Sequence, residues 1–128
     1  MMTRRFVLAA AILLSGTFDV LAADRHVYEQ RAFEAARDGG KPILVHVTAP
    51  WCGECKLQKP IVAALTQQSE YADLAIFDVD FDSQKDALRA LNVQTQSTLL
   101  IYKNKTEVTR AVGITRRDAI EDVLKKAL

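Results

Sequence analysis

The sequence predicts an α/β fold in which a mixed four-stranded sheet carries helices on both faces. Short apolar stretches rich in β-branched residues alternate along the chain with longer stretches of good helix formers. Strands separated by helices pair in parallel through crossovers, whereas the last two strands are joined by a short turn and must run antiparallel. The predicted order is helix, strand, helix, strand, helix, strand, strand, helix.

The first half of this pattern contains two helices and two strands. Residues 28–37 are mostly helix formers, and a glycine pair ends this predicted helix. Residues 42–48 are apolar and β-branched, which is typical of a buried strand. The second helix, over residues 52–69, contains Pro60, which removes a backbone donor and should kink it. Residues 74–80 then form a second buried strand.

The second half contains the remaining helices and strands. Ser83 is expected to cap a third helix that runs to Leu91. Residues 98–102 and 107–112 are predicted strands, and the tight turn between them makes a hairpin. The polar segment 115–118 is expected to cap a final helix with one apolar face.

The first 23 residues have the order of a secretory signal peptide. Two adjacent arginines precede the unbroken apolar run 6–14, and small residues follow. This run is too short to cross a bilayer, which takes roughly 20 residues. We expect cleavage after Ala22 or Ala23, export to the periplasm, and one mature domain over residues 24–128. The alternative is an uncleaved membrane anchor.

The charge balance of the mature chain excludes some classes of partner. Without the first 23 residues it holds 15 basic and 15 acidic residues. A neutral domain offers no electrostatic basis for binding nucleic acid or anionic lipid. The remaining length suits a single domain, which we expect to be monomeric.

The two cysteines of the chain lie only three positions apart. A disulfide stabilises a fold mainly by closing a long loop, so a bond between Cys52 and Cys55 would stabilise little. Zinc usually takes four ligands, and only His26 and His46 could join the two thiolates. We therefore predict redox chemistry and no metal site.

The motif Trp51-Cys52-Gly53-Glu54-Cys55 lies where a predicted strand gives way to a helix. The first cysteine is at the helix N-terminus, where free N–H groups and the helix dipole favour a thiolate, the species that attacks disulfides. The second cysteine is one turn later, close enough to resolve a mixed disulfide. Cys52 is therefore the predicted nucleophile and Cys55 the resolving thiol.

From about residue 41 to its end, the chain resembles the thioredoxin superfamily. The resemblance rests on the WCGEC motif, on the strand–turn segment 102–105, and on Gly113 before the last helix. It implies a thioredoxin-like fold and disulfide oxidoreductase activity on protein partners. It implies no dissociable cofactor, because the redox centre is the cysteine pair itself.

The chain departs from the family pattern at three positions. Ser97 stands where a cis proline is expected, and we predict a trans peptide bond there because a non-proline cis bond costs about 2.5–4 kcal/mol. Its hydroxyl could lie near the sulfurs, or it could be a simple loop residue. His46 stands where a buried aspartate helps to move the resolving thiol's proton, so it is either a base or a core histidine.

The third departure is Glu54, in place of a common proline. A carboxylate near Cys52 disfavours its thiolate, which favours a reductant, although Glu54 could also serve the helix dipole. Trp51 is expected to shield the sulfurs and offer a docking surface, or to pack as a core aromatic.

We therefore predict a periplasmic thiol–disulfide oxidoreductase that reduces disulfides of exported proteins. By resemblance, a membrane thiol-transfer protein could supply its electrons. The alternatives are an oxidant or isomerase, and a docking or metal-binding module without turnover.

Overall fold

A computed structural model describes residues 23–128, which form a mixed five-stranded sheet with four helices. In chain order the elements are β1 (Asp24–Val27), α1 (Gln30–Asp38), β2 (Ile43–Thr48), α2 (Gly53–Thr66), a 3₁₀ turn (Ser69–Tyr71), β3 (Ala75–Asp80), α3 (Lys85–Leu91), β4 (Thr98–Lys103), β5 (Thr106–Val112) and α4 (Arg117–Lys125). The α/β class is confirmed. Apart from Ala23, the predicted signal peptide lies outside the described residues.

The strands lie side by side in the order β1-β3-β2-β4-β5. β1, β3 and β2 pair in parallel, whereas β4 pairs antiparallel with both β2 and β5. The parallel crossovers and the closing hairpin are therefore as predicted, and β2 lies in the centre of the sheet.

The predicted count of four strands is wrong, because β1 adds a fifth strand beside β3. All four residues of β1 are exposed, so this edge strand carries no apolar alternation that a sequence pattern could reveal. The Arg25 guanidinium donates to both carboxylate oxygens of Asp78 on β3, at 2.6 and 2.7 Å. β1 is therefore held by backbone pairing and this ion pair rather than by the burial of apolar side chains.

The sheet separates two apolar layers. Alternate residues of β2, beginning with Ile43, face a cluster that includes Phe33 of α1 and Leu88 of α3. Leu44 faces the opposite cluster with residues of α2 and α4. Helices thus cover both faces, and α2 lies on the face to which Leu44 and His46 point.

The two predicted helix caps are wrong. α3 has Gln84 at its N-cap position without a side-chain cap bond, because the Ser83 hydroxyl instead bonds the Asp80 carboxylate. α4 begins after Arg116, and its N-cap also lacks a side-chain bond. α2 continues through Pro60 and ends at Thr66, before the 3₁₀ turn. No helix within residues 23–128 is long and apolar enough to cross a membrane.

Candidate active site

Cys52 is the N-cap residue of α2, in the loop that follows the central strand β2. Its backbone is extended, and its sulfur accepts a hydrogen bond from the Cys55 backbone N–H at 3.1 Å. Cys52 and Cys55 form a disulfide with their Cα atoms 5.3 Å apart. The Cys52 sulfur therefore lies at the positive end of α2, where a negative charge would be stabilised.

The two cysteines differ in their position on α2. Cys55 lies inside the first turn and Cys52 at the helix end, and both side chains are buried. Both pack with Ala49 and against Phe81. A partner must therefore be pressed against the protein surface to reach the Cys52 sulfur.

The carboxylate of Glu54 lies close to the same sulfur. Its Oε2 atom is 3.7 Å from Cys52 Sγ, and Glu54 belongs to the first turn of α2. The negative charge therefore opposes a Cys52 thiolate and at the same time complements the helix dipole. Both predicted effects of Glu54 fit its position.

Trp51 lies on the surface beside the disulfide. Its side chain is 58% exposed, so it is not a core aromatic. The indole Nε1–H donates to both carboxylate oxygens of Asp82, at 2.9 and 3.1 Å, and the ring meets Phe81 edge-on. The indole face is thus held in one orientation next to Cys52.

A Cβ at Gly53 would meet nothing within 4 Å, so space alone does not require glycine there.

His46 is fully buried on β2 and bonds to a side chain of α2. Its Nε2 lies 3.0 Å from Gln58 Oε1, and its Nδ1 has no hydrogen-bonding partner among the described residues. Burial lowers the pKa of His46 to about 4, although the Gln58 hydrogen bond opposes this effect. The ring is therefore neutral at pH 7.

Ser97 is 3% exposed and lies just before β4. No peptide bond within residues 23–128 is cis, so the predicted trans bond before Ser97 is confirmed. Its φ of 56° is left-handed, a conformation that proline could not adopt. The Ser97 carbonyl accepts hydrogen bonds from the Gly113 N–H at 3.0 Å and from Gln58 Nε2 at 3.1 Å.

Gln58 is the residue of this region that sequence reasoning missed. It lies one turn after Cys55 on α2 and bonds to both His46 and the Ser97 carbonyl. The only available signal was a glutamine on the same helical face as Cys55, Val62 and Leu65, which are otherwise buried apolar residues. Gln58 thus joins His46 and Ser97, although no motif in the sequence indicates a role for it.

Known proteins resemble the chain over most of its described length. The family model described as Thioredoxin matches residues 25–126. Thioredoxin-2 of Saccharomyces cerevisiae is 37% identical over 79 residues, which cover 62% of this chain and 74% of the yeast protein. Thioredoxin H-type of Fagopyrum esculentum is 33% identical over 91 residues, covering 71% of this chain and 77% of the plant protein.

Solved structures show the same likeness. The crystal structure of Trxlp from Edwardsiella tarda has a TM-score of 0.77 and 42% identity, covering 79% of this chain and 98% of that one. Thioredoxin O2 from Arabidopsis thaliana, in its oxidized state, has a TM-score of 0.68 and 28% identity, covering 81% and 94%.

Proposed function

Because this chain belongs to the thioredoxin family and is a thiol–disulfide oxidoreductase, we propose that it reduces disulfide bonds of exported proteins outside the cytoplasm. Cys52 is the attacking thiol and Cys55 the resolving thiol. The observation that carries this assignment is the position of the Cys52 sulfur, which lies at the N-terminus of α2 and accepts the Cys55 N–H.

Reduction of a partner takes two exchanges. The Cys52 thiolate attacks one sulfur of the partner disulfide, a Cys52–partner disulfide forms, and the other partner sulfur leaves as a thiolate. Cys55 then loses its proton and attacks Cys52, so that the Cys52–Cys55 disulfide forms and the second partner sulfur leaves. The partner gains two electrons and two protons, and the cysteine pair loses them.

The asymmetry of the pair supports these roles. The first exchange needs a sulfur that a protein-sized partner can approach, and only Cys52 lies at the helix end beside the exposed Trp51. The second exchange needs a thiol that attacks Cys52 alone. Cys55 is fully buried, and its N–H already points at the Cys52 sulfur.

Glu54 supports the reducing direction. A carboxylate 3.7 Å from Cys52 disfavours the thiolate and hence the reduced form of the pair. A pair whose reduced form is less favoured gives its electrons away more readily. An oxidant or isomerase would instead need a well-stabilised thiolate.

The location and partners are proposed from the sequence. The basic, apolar and small residues at the start of the chain are those of an export signal, and exported proteins are the disulfide-containing substrates that such a location offers. A reductant in an oxidising compartment must itself be re-reduced, and a membrane thiol-transfer protein is the class of donor that could do this.

Two cysteine variants test the proposal. Cys55→Ser should trap partners on Cys52 as mixed disulfides that dithiothreitol releases, and Cys52→Ser should trap none. Partners identified after release should be exported proteins if the chain is expressed with its first 23 residues. Trapping through Cys55 in Cys52→Ser would reverse the two roles, and exclusively cytoplasmic partners would refute the location.

The reduction potential tests the direction of transfer. It is measured by equilibrating the cysteine pair in dithiothreitol or glutathione buffers of known ratio. A value near that of thioredoxin, about −270 mV, supports a reductant, whereas one near the strong periplasmic oxidant, about −120 mV, would overturn it.

A further inference from the structure

The sulfur of Cys52 lies beside a carboxylate that takes part in no ion pair of the described chain. Glu54 Oε2 is 3.7 Å from Cys52 Sγ, and the Glu54 side chain is exposed. None of the ion pairs formed among residues 23–128 includes Glu54. A molecule that reaches the Cys52 sulfur therefore also comes close to an exposed negative charge.

The exchange reaction limits how far a partner's charges can be from this carboxylate. The attacked sulfur ends the first step bonded to Cys52 Sγ, at about 2 Å. A charged group two carbon atoms from that sulfur then lies within roughly 7 Å of Cys52 Sγ. Because Glu54 Oε2 is 3.7 Å from the same atom, the group lies at most about 11 Å, and typically about 7 Å, from the carboxylate. This limit holds whatever the overall shape of the partner.

Other charged side chains near the disulfide have opposing signs. Asp82 accepts the Trp51 indole N–H. The Lys85 ammonium lies 4.3 Å from the centre of the Phe81 ring, which packs against both cysteines. Lys56, also exposed, follows the resolving cysteine on α2. These charges partly offset one another, whereas the Glu54 carboxylate makes the one side-chain contact to the Cys52 sulfur among residues 23–128.

We propose that Glu54 is a specificity-determining residue, which favours partner disulfides with a lysine or arginine next to the attacked cysteine and disfavours those with an aspartate or glutamate there. This inference rests on the proposed function and names the substrate class of its first exchange. Residues 24–128 hold 15 basic and 15 acidic residues. Because their net charge is zero, the protein as a whole does not attract partners of one sign. Discrimination by charge therefore depends on groups close to Cys52.

The Cys52 thiolate acts in the same direction as Glu54, because a negative sulfur also attracts cations. Glu54→Gln separates the two effects, since it keeps the size of the side chain and removes only its charge. A change in the amount of thiolate alters the rates with all disulfides equally and cancels in a ratio of rates. Unit charges about 7 Å apart in water change a rate about two- to threefold, so the ratio between a cationic and an anionic disulfide should change about fivefold.

Cystamine and 3,3′-dithiodipropionate are matched probes of this effect. Each is a small symmetric disulfide, with an ammonium or a carboxylate group two carbons from each sulfur. The Cys52 thiolate displaces one half of the probe as a thiolate, and Cys55 then displaces the other half from Cys52. The probe thus gains two electrons, and the cysteine pair becomes the disulfide. The rate at pH 7 and low salt is measured by acid quenching, alkylation of the remaining thiols and mass spectrometry.

The wild-type protein should react faster with cystamine than with 3,3′-dithiodipropionate. The ratio of the two rates should fall about fivefold in Glu54→Gln. It should stay unchanged in Glu70→Gln, at an exposed carboxylate beyond the other end of α2. Added salt should reduce the ratio more in the wild-type protein than in Glu54→Gln, because salt screens exposed charges.

Two results would overturn the inference and leave the proposed function intact. These are an unchanged ratio in Glu54→Gln and an equal fall of the ratio in Glu70→Gln. A wild-type protein that reduces neither probe, nor the uncharged hydroxyethyl disulfide, would instead refute the proposed function.

Peptides extend the test to the proposed class of partner. Two disulfide-linked peptides are compared that differ only in a lysine or a glutamate after each cysteine. The wild-type protein should reduce the lysine peptide faster, and Glu54→Gln should lose most of this preference. An equal preference in both proteins would show that Glu54 does not select the partner, which would overturn the inference.

Discussion

Replacing Glu54 by glutamine should make the cysteine pair less reducing. The substitution keeps the size of the side chain but removes a negative charge 3.7 Å from Cys52 Sγ. This charge repels the thiolate that exists only in the reduced protein. Its removal therefore stabilises the reduced form and shifts the reduction potential to a less negative value.

The size of the effect follows from the distance. Two unit charges 3.7 Å apart repel by about 1 kcal/mol in water and by about 4 kcal/mol at an effective dielectric constant of 20. Glu54 is exposed, so the lower value applies. For a two-electron couple, about 1 kcal/mol is about 20 mV. The loss of favourable charge at the start of α2 affects both redox states and largely cancels.

The assay is equilibration with dithiothreitol buffers of known ratio at pH 7, read by alkylation of free thiols. Glu70→Gln, at an exposed carboxylate beyond the other end of α2, is the matched control. The shift should shrink as salt is added, because salt screens exposed charges, and it should vanish at a pH where the Cys52 thiol stays protonated. An unchanged or more negative potential in Glu54→Gln, or an equal shift in Glu70→Gln, would refute the reasoning.

Three further predictions concern residues around the disulfide. Because burial lowers the pKa of His46 to about 4, the ring takes up a proton at a higher pH in the unfolded chain than in the folded protein. The contribution of the neutral ring to the free energy of unfolding is therefore complete above about pH 6.5 and falls by about 3 kcal/mol towards pH 4. Between these two pH values, the free energy of unfolding measured in urea should fall less in His46→Asn than in the wild-type protein. An equal fall in both proteins would contradict this. Asp82→Ala should change the fluorescence of Trp51, the single tryptophan, and raise KM for a protein disulfide while leaving the reduction potential unchanged. Equal KM values would show that indole orientation does not matter for docking. Ser97→Gly should raise the free energy of unfolding by about 1 kcal/mol, because glycine adopts a positive φ without strain. A loss of stability in urea would mean that side-chain contacts of Ser97 outweigh that strain.

The strands that the sequence predicts correctly either bury apolar residues or, like β5, are joined by a tight turn to a strand that does. β2, β3 and β4 are short, apolar and bounded by turn residues, so their pattern is visible within a few positions. β1 has no such pattern, because it is exposed along its length and is held by a partner strand about 50 residues away. Its position depends on pairing that no local window contains.

The predicted helix caps are wrong for a related reason. Ser83 has the chemistry of an N-cap, but its hydroxyl bonds the Asp80 carboxylate instead. The Gln84 side chain then accepts from the Asp80 N–H and donates to the Tyr28 carbonyl, 56 residues away. A short polar side chain has several possible partners, and only the folded chain selects among them.

The candidate site also has one part that follows from the local sequence and another that depends on distant residues. The Cys52 sulfur, the Cys55 N–H and the Glu54 carboxylate lie within three residues of each other, so helix geometry alone places them together. The Gln58 amide reaches partners 12, 39 and 56 positions away. These hydrogen bonds cannot be derived from the spacing of residues along the chain.

Hydrogen bonding compensates the burial of Gln58 more fully than the burial of His46. The Gln58 amide has a partner for each polar atom and connects four parts of the fold, so its burial is compensated. His46 gains one hydrogen bond, to Gln58, and its Nδ1 has no partner within residues 23–128, so its burial is less fully compensated. The unfavourable atom lies on the side of β2 that faces α2, the helix that carries the buried resolving cysteine.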